Sequence, residues 1–197
     1  MKSLQEHLSE AAAFHGESCP GQVLGVRLAR AGLRSIGIDD PLSDRWRKNI
    51  IVFVEIDRCA ADAIMVVTGC RVGKRTLKLK DYGIMAATFV NLESGRAVRV
   101  VAREEARKLA PSYAPGASGK YEQQRLAYAV MPEEDLCSFE DVEVSLPPEE
   151  MPGPPFSRVK CQKCGEHVQD GREQSTGGAV LCRSCAQGGY FVRRGRG

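Results

Sequence analysis

The 197-residue sequence contains no apolar run close to the roughly 20 residues that a helix needs to cross a bilayer. The first residues, Met1 to His7, also lack the apolar stretch of a signal peptide. These absences predict a cytoplasmic protein outside the membrane. In a reducing compartment, the eight cysteines indicate metal or redox chemistry rather than a disulfide framework.

Histidine is scarce, with three residues in the whole chain, and no complete set of nucleophile, base and orienting group can be named. A nucleotide-binding P-loop is also lacking. The segment from Gly69 to Lys74 is one residue too short for it, and Arg75 replaces the hydroxyl residue that would hold magnesium. Lys74 therefore remains only a candidate for binding an anion.

A net positive charge is lacking over most of the chain. Residues 156–197 carry eight Lys/Arg and three Asp/Glu, a net charge of +5, whereas the preceding residues carry a net charge of −2. This distribution argues against nucleic-acid binding by the main part of the chain. The basic tail stays a candidate nucleic-acid contact, although so modest an excess does not favour that function.

The order of predicted elements indicates an α+β protein. Helices are expected over 3–13, 20–36, 60–68, 103–109 and 121–130, and strands over 49–57, 76–80, 84–92, 96–101 and 142–145. Strands and helices do not alternate regularly, which favours a mixed, largely antiparallel sheet with helices. The helix over 103–109 is expected to stop before Pro111.

Proline marks the domain boundary, because residues 146–156 contain five of the ten prolines. That composition is typical of a semi-rigid linker. We therefore predict a core domain over 1–145, the linker over 146–156, and a small domain with a basic tail over 157–197.

The small domain contains two Cys-x-x-Cys pairs separated by 17 residues: Cys161, Cys164, Cys182 and Cys185. This spacing is typical of a structural Zn²⁺ site, in which four thiolates close the coordination sphere. A segment of about 40 residues cannot bury enough apolar surface to be stable alone, so the metal would supply much of its folding energy. The pattern predicts a zinc ribbon.

His15 and Cys19 stand four residues apart, directly before Pro20. Proline favours the first position of a helix, which places Cys19 at the N-cap, beside unpaired N–H groups that stabilise a thiolate. The alternative interpretation is a small buried cysteine beside an ordinary polar histidine. A second candidate pair follows the strongest strand, where Asp62 lies three residues after Cys59 and on the same helical face.

These motifs together resemble the FmdE family, which is named for a component of formylmethanofuran dehydrogenase. Residues 14–27 (Phe-His-Gly-x-x-Cys-Pro-Gly-x-x-x-Gly-x-Arg) are similar to its opening motif. Residues 59–64 (Cys-x-x-Asp-Ala-Ile), 68–77 (Thr-Gly-Cys-x-x-Gly-Lys-x-x-Leu) and 81–83 (Asp-x-Gly) resemble its second block. A Cys-x-x-Cys ribbon is also found on many members.

The resemblance implies an α+β core, a homodimer and a metal-binding cleft near the first motif. It also implies association with the molybdenum or tungsten enzyme that reduces carbon dioxide to a formyl group on methanofuran. The family's usual motif has a second histidine where this chain has Glu17. Our candidate core ligands are His15, Cys19 and Cys59, with Glu17 and Asp62 as additional candidates, and the metal is expected to be zinc or iron.

Three functions fit these observations. The first is a metal-binding accessory subunit linked to one-carbon redox metabolism. The second is a regulatory protein that senses a metal or small molecule and contacts a protein or nucleic acid through its ribbon. The third is a free-standing metal-dependent enzyme, with Cys19 as ligand or nucleophile, His15 as acid or base and Lys74 holding an anionic substrate.

Overall fold

The structure is a computed structural model, and it describes residues 1–192 and 194. The chain forms two compact units, Met1–Ser145 and Leu146–Gly197, which we call the core unit and the ribbon unit. Within the described residues, no helix combines the length and apolar character needed to span a bilayer.

The core unit contains helices and strands in irregular order. They are α1 (Leu4–His15), α2 (Pro20–Ser35), β1 (Ile50–Val54), α3 (Cys59–Thr68), β2 (Leu77–Leu79), β3 (Ala86–Asn91), β4 (Ala97–Ala102), α4 (Glu105–Tyr113), α5 (Lys120–Val130), α6 (Glu133–Leu136) and β5 (Cys137–Asp141).

The five strands form one mixed sheet in the order β2-β1-β3-β4-β5. The β1–β2 pair is parallel, with Val52 beside Leu77, and the other pairs are antiparallel, with Val52 opposite Phe89 on β3. The predicted α+β class with a largely antiparallel sheet is confirmed.

Helix α2 lies directly on this sheet. A Cβ atom at Gly32 would stand 2.2 Å from the ring of Phe89, so only glycine allows the helix so near to β3. The apolar face of α2 is fully buried at Val26, Leu28 and Leu33. This burial is a main source of hydrophobic stabilisation for the core unit.

Both N-terminal helices begin as the sequence predicts. Ser3 and Glu6 form a capping box at the start of α1, in which each side chain accepts a backbone N–H of the other residue. Cys19 is the N-cap of α2, and Pro20 occupies its first turn.

Helix α5 is anchored to α2 by Arg27. Its guanidinium donates hydrogen bonds to the carbonyls of Tyr128, Ala129 and Met131, at 2.9, 3.1 and 2.8 Å. These carbonyls belong to the last turn of α5 and the residue after it. Carbonyls at a helix C-terminus have no backbone N–H partner within the helix. Arg27 thereby holds α5 in place beside the start of α2.

Two predicted boundaries are wrong. Helix α4 does not stop before Pro111 but continues to Tyr113, because Ala106 and Ala110 bury one face while Pro111 remains exposed. The edge strand occupies Cys137–Asp141 rather than residues 142–145, since the buried Cys137 pairs with the end of β4. Both outcomes depend on packing against distant elements, which overrides local preference.

The ribbon unit consists of two small hairpins and a short helix. They are β6 (Arg158–Lys160) with β7 (His167–Gln169), β8 (Gln174–Thr176) with β9 (Ala179–Leu181), and α7 (Arg183–Gln187). Of the basic segment 193–196, the structure describes Arg194 alone, so most of the predicted basic tail lies outside the described residues.

Candidate metal centres

Three helix ends bring His15, Cys19 and Cys59 together. His15 is the last residue of α1, Cys19 caps α2, and Cys59 is the first residue of α3. One ligand atom from each lies within 4.8 Å of the other two. We call this group the core triad.

Asp62 supports the triad instead of joining it. One of its carboxylate oxygens lies 2.8 Å from Nδ1 of His15, a residue 47 positions earlier in the sequence. A carboxylate on one ring nitrogen fixes the tautomer and orientation of a metal-binding histidine. Nε2 is then the ring nitrogen that can bind a metal.

The two thiols of the triad have different surroundings. The backbone N–H of Gln22 donates a hydrogen bond to Sγ of Cys19 at 3.4 Å, at the N-terminal end of α2. Burial and the adjacent Cys19 thiol raise the pKa of the Cys59 thiol. A cation placed between the two sulfurs would favour the deprotonated form of both.

Gln22 also ties the two cysteine-bearing helices together. Its side-chain amide donates a hydrogen bond of 2.6 Å to the backbone carbonyl of Cys59. Gln22 is 2% exposed, so this bond forms in a site shielded from water. The start of α3 is thereby fixed beside the first turn of α2.

Glycines on α2 allow this close approach. A Cβ atom at Gly21 would lie 3.1 Å from Cβ of Cys59 and 3.8 Å from Sγ of Cys19. A Cβ atom at Gly25 would lie 2.6 Å from the carbonyl oxygen of Ala60 and 2.7 Å from Cβ of Ala63. The neighbours of Gly25 are backbone or Cβ atoms, which cannot rotate away.

Gly25→Ala is therefore expected to destabilise the core unit, by about 1–3 kcal/mol of unfolding free energy, because α3 must move away from α2. A decrease in stability would be informative, because alanine normally stabilises a helix by about 1 kcal/mol relative to glycine. Denaturant unfolding measures the change. Gly73→Ala is the matched control, because a Cβ atom there meets nothing within 4 Å. An unchanged or higher midpoint for Gly25→Ala would contradict the close helix contact.

Two further sequence candidates lie apart from the triad. Glu17 is exposed and lines the cleft beside the triad, outside the group of converging ligand atoms. Lys74 is exposed at the end of a short 3-10 turn, Val72–Lys74, where it borders a different cavity near Cys70. Neither position places the side chain on the core triad.

The triad opens onto a cleft of about 890 Å³, a volume typical of small-molecule sites. Its lining includes Cys19 and Cys59, together with residues of α4, α5 and the loop between them. The sequence carries no motif over this second group, and its proximity to the triad follows only from the packing of α5 against α2. These cleft residues were therefore missed by sequence reasoning.

The donor set of the triad fits a borderline metal ion. Two thiolates and one imidazole suit zinc and iron, and three protein ligands leave a coordination position for water or substrate. Cys19 and Cys59 line the cleft, so that position would be reachable from it. Such an arrangement is typical of catalytic or ligand-accepting metal sites.

The ribbon cysteines form a second group of ligands, which leaves no coordination position for a substrate. Sulfurs of Cys161, Cys164, Cys182 and Cys185 all lie within 4.8 Å of one another, with 3.9 Å between those of Cys164 and Cys182. Backbone N–H groups, chiefly those of Cys164 and Cys182, lower the pKa of the Cys161 thiol to about 6. Four thiolates fill a tetrahedral sphere, so this zinc site is structural.

Local hydrogen bonds shape the ribbon site. The backbone N–H of Gly165, which has a positive φ of 78°, closes the first cysteine turn on the carbonyl of Cys161 at 2.9 Å. Gln162 exchanges two hydrogen bonds with the backbone of Val180, at 2.9 and 2.8 Å. The first cysteine turn is thus held against β9, which leads into Cys182.

The remaining cysteines are buried in the core unit. Burial raises the pKa of Cys70 and of Cys137 to about 11 in each case. Thiols that stay protonated at neutral pH are poor nucleophiles and poor metal ligands. Both residues therefore serve packing.

Two family models match the chain. The model described as "FmdE, Molybdenum formylmethanofuran dehydrogenase operon" matches residues 14–147, and the model described as "Prokaryotic dksA/traR C4-type zinc finger" matches residues 154–189. The first match contains the whole core triad, and the second contains all four ribbon cysteines. The second match and the four-sulfur group together support zinc binding in the ribbon unit.

The chain is similar to a protein of Archaeoglobus fulgidus named "Probable S-adenosyl-L-methionine-binding protein", with 31% identity over 214 aligned positions. The match covers 96% of this chain, which spans about half, 55%, of that relative. The fold is similar to the crystal structure of a "tungsten formylmethanofuran dehydrogenase subunit e (fmde)-like protein" from Syntrophus aciditrophicus. That likeness has a TM-score of 0.63 and 20% identity, and covers 97% of this chain and 96% of the other.

Proposed function

The chain belongs to the FmdE family, and from this premise we propose that its core unit holds a metal ion on His15, Cys19 and Cys59 and presents it to a small molecule. One observation carries the proposal, namely that the three ligand atoms converge at a cleft large enough for such a molecule. Nε2 of His15 and the sulfurs of Cys19 and Cys59 would hold the ion, which would keep a coordination position for the cleft ligand. Zinc or iron suits this donor set.

A metal ion held by these residues would act as a Lewis acid on a group bound beside it. The protein supplies the orientation of His15 through Asp62 and the fixed separation of the sulfurs through the α2–α3 contact. Glu17, which stands where the family usually has histidine, lines the cleft as an exposed carboxylate. It adds negative charge beside the metal instead of a neutral nitrogen.

The supporting role of Asp62 gives the first test of this function. Asp62→Ala is expected to weaken Co²⁺ binding at the core triad by about 10–100-fold, because His15 loses the partner that orients its ring. Thiolate-to-cobalt absorption measures the binding, and the spectrum of Cys59→Ser is subtracted to remove the ribbon signal. Asp57→Ala, which changes an exposed acidic residue in the loop before α3, is the matched control. Equal cobalt affinity in the two variants would count against the assigned role of Asp62.

We also propose that the protein is an accessory subunit, as a homodimer, of a molybdenum or tungsten oxidoreductase in one-carbon metabolism. The description of the matching family and the name of the similar Syntrophus protein support this role. Affinity purification of the full chain from its native cell tests it. Stoichiometric recovery of a molybdenum- or tungsten-containing subunit is expected, and recovery of the chain alone would contradict it.

Binding of S-adenosylmethionine is a second candidate function. The name of the Archaeoglobus relative supports it, and so does the cleft, which combines apolar and basic lining residues. Titration calorimetry with S-adenosylmethionine tests this candidate. Saturable binding that is lost in Tyr121→Ala, an exposed tyrosine of the cleft lining, would support it. The absence of binding heat with metal-loaded protein would exclude it.

A further inference from the structure

The lining of the cleft is unevenly charged. Its cations are Arg58, Arg107, Lys120 and Arg125, whereas its acidic residues are Glu17 and Glu122. Most of these cations lie on α4 and α5 rather than beside the core triad. This part of the lining is the cationic wall, which we define as Arg107, Lys120 and Arg125.

One cation of the cationic wall, Arg107, forms an ion pair with Glu104 at 3.5 Å. In the described part of the chain, no carboxylate forms an ion pair with Lys120 or Arg125. The carboxylate of Glu122 is already engaged, since it accepts hydrogen bonds from the backbone N–H of Ser118 at 2.8 Å and from the Ser118 hydroxyl. Hydrogen bonds from Ser118 and, less strongly, the charge of Arg125 lower the pKa of Glu122, so this carboxylate offsets Arg125 without forming an ion pair and both cations can still attract a ligand.

The amide side chain of Gln124 accompanies these cations in the lining. Gln124 lines the cleft and is only 8% exposed, and its side chain makes no hydrogen bond with any residue that the structure describes. The Gln124 amide atoms still reach the solvent of the cleft and keep their hydrogen-bonding capacity, so they can donate to and accept from a ligand bound there. Leu24, Met85 and the 1% exposed Tyr128 add an apolar section to the same lining.

From this distribution we infer that the cleft ligand is a small organic anion. Its carboxylate or phosphate group binds Lys120 and Arg125, its apolar body packs against Leu24 and Tyr128, and its other end reaches the core metal. The inference rests on the proposed core metal, because the metal is what draws the second end of the ligand. It deepens that function by naming the chemical class of the ligand and the residues that select it.

Mercaptoalkyl probes on cobalt-loaded full-length protein test the inference. Mercaptopropionate and mercaptohexanoate carry a thiolate for the metal and a carboxylate for the cationic wall, whereas mercaptohexanol lacks the charge. A mercaptohexyl phosphonate probe is the second anionic arm. The thiolate-to-cobalt band reports binding of each probe at the core metal. At least one anionic probe is expected to bind roughly tenfold or more tightly than mercaptohexanol, as for a hydrogen bond to a charged group.

The variants Lys120→Gln and Arg125→Gln are expected to remove this preference while leaving the cobalt content unchanged. Lys108→Gln, an exposed cation of α4 outside the cleft, is the matched control and should keep it. If cobalt never enters the core triad, the proposed function fails. If cobalt binds but every probe has the affinity of mercaptohexanol, the organic-anion inference is overturned and the core metal site stands. The same conclusion follows if Lys108→Gln has the same effect as Lys120→Gln.

Discussion

Replacing Cys161 and Cys182 together with serine is expected to empty the ribbon zinc site and unfold the ribbon unit. The reason lies in its packing, because Cys161 and Asp170 are the buried side chains among the described residues of this unit. Strands of three residues and a five-residue helix cannot hold such a segment together without a core. Zinc binding supplies apparent free energies of about 10–16 kcal/mol in comparable four-ligand sites at neutral pH.

Elemental analysis and limited proteolysis measure this outcome. The double variant is expected to lose about one zinc ion per chain and to become rapidly cleaved between residues 157 and 190, while the core unit stays resistant. Cys19→Ser is the control, since it should keep the ribbon zinc and the ribbon's resistance. Retention of zinc and protease resistance by the double variant would refute a four-cysteine structural site.

Cys59→Ala is expected to abolish metal binding at the core triad without unfolding the protein. Cys59 supplies one of three ligands, so its loss should exceed the roughly 10–100-fold effect of removing a supporting hydrogen bond. The side chain is only partly buried, and its backbone carbonyl still accepts the Gln22 amide. The α2–α3 contact should therefore survive the substitution.

Equilibrium dialysis with Zn²⁺ or Fe²⁺ measures this loss, with thermal unfolding as the check on folding. Ser18→Ala is the matched control, because Ser18 is exposed, adjoins Cys19 and lines the same cleft. We expect wild-type metal content for Ser18→Ala and about one ion fewer per chain for Cys59→Ala. Equal metal content in the two variants would mean that the core triad holds no ion.

Local sequence signals predicted the elements that carry the ligands. Pro20 after Cys19 predicted a helix start with a capping cysteine, and the structure has it. The spacing of Ser3 and Glu6 is likewise that of a capping box, and α1 begins with one. Such signals are reliable because they depend on hydrogen bonds between residues three or four positions apart.

Contacts between residues that are distant in the sequence could not be predicted from such local signals. Asp62 was predicted as a candidate ligand, but the structure places it on Nδ1 of His15, a pairing set by how α1 packs against α3. The need for glycine at position 25 follows from a contact with Ala60 that no local pattern encodes. Long-range packing also explains why α4 continues through Pro111. It likewise places the cationic wall beside the core triad.

X-ray absorption at the metal K edge of the Cys161→Ser, Cys182→Ser double variant tests the central claim most directly, because the ribbon signal is then removed. We predict one metal ion per chain with two sulfur ligands and one imidazole nitrogen, completed by lighter donors. A chain without metal, or a bound ion lacking either the sulfurs or the imidazole, would contradict a core site built from His15, Cys19 and Cys59.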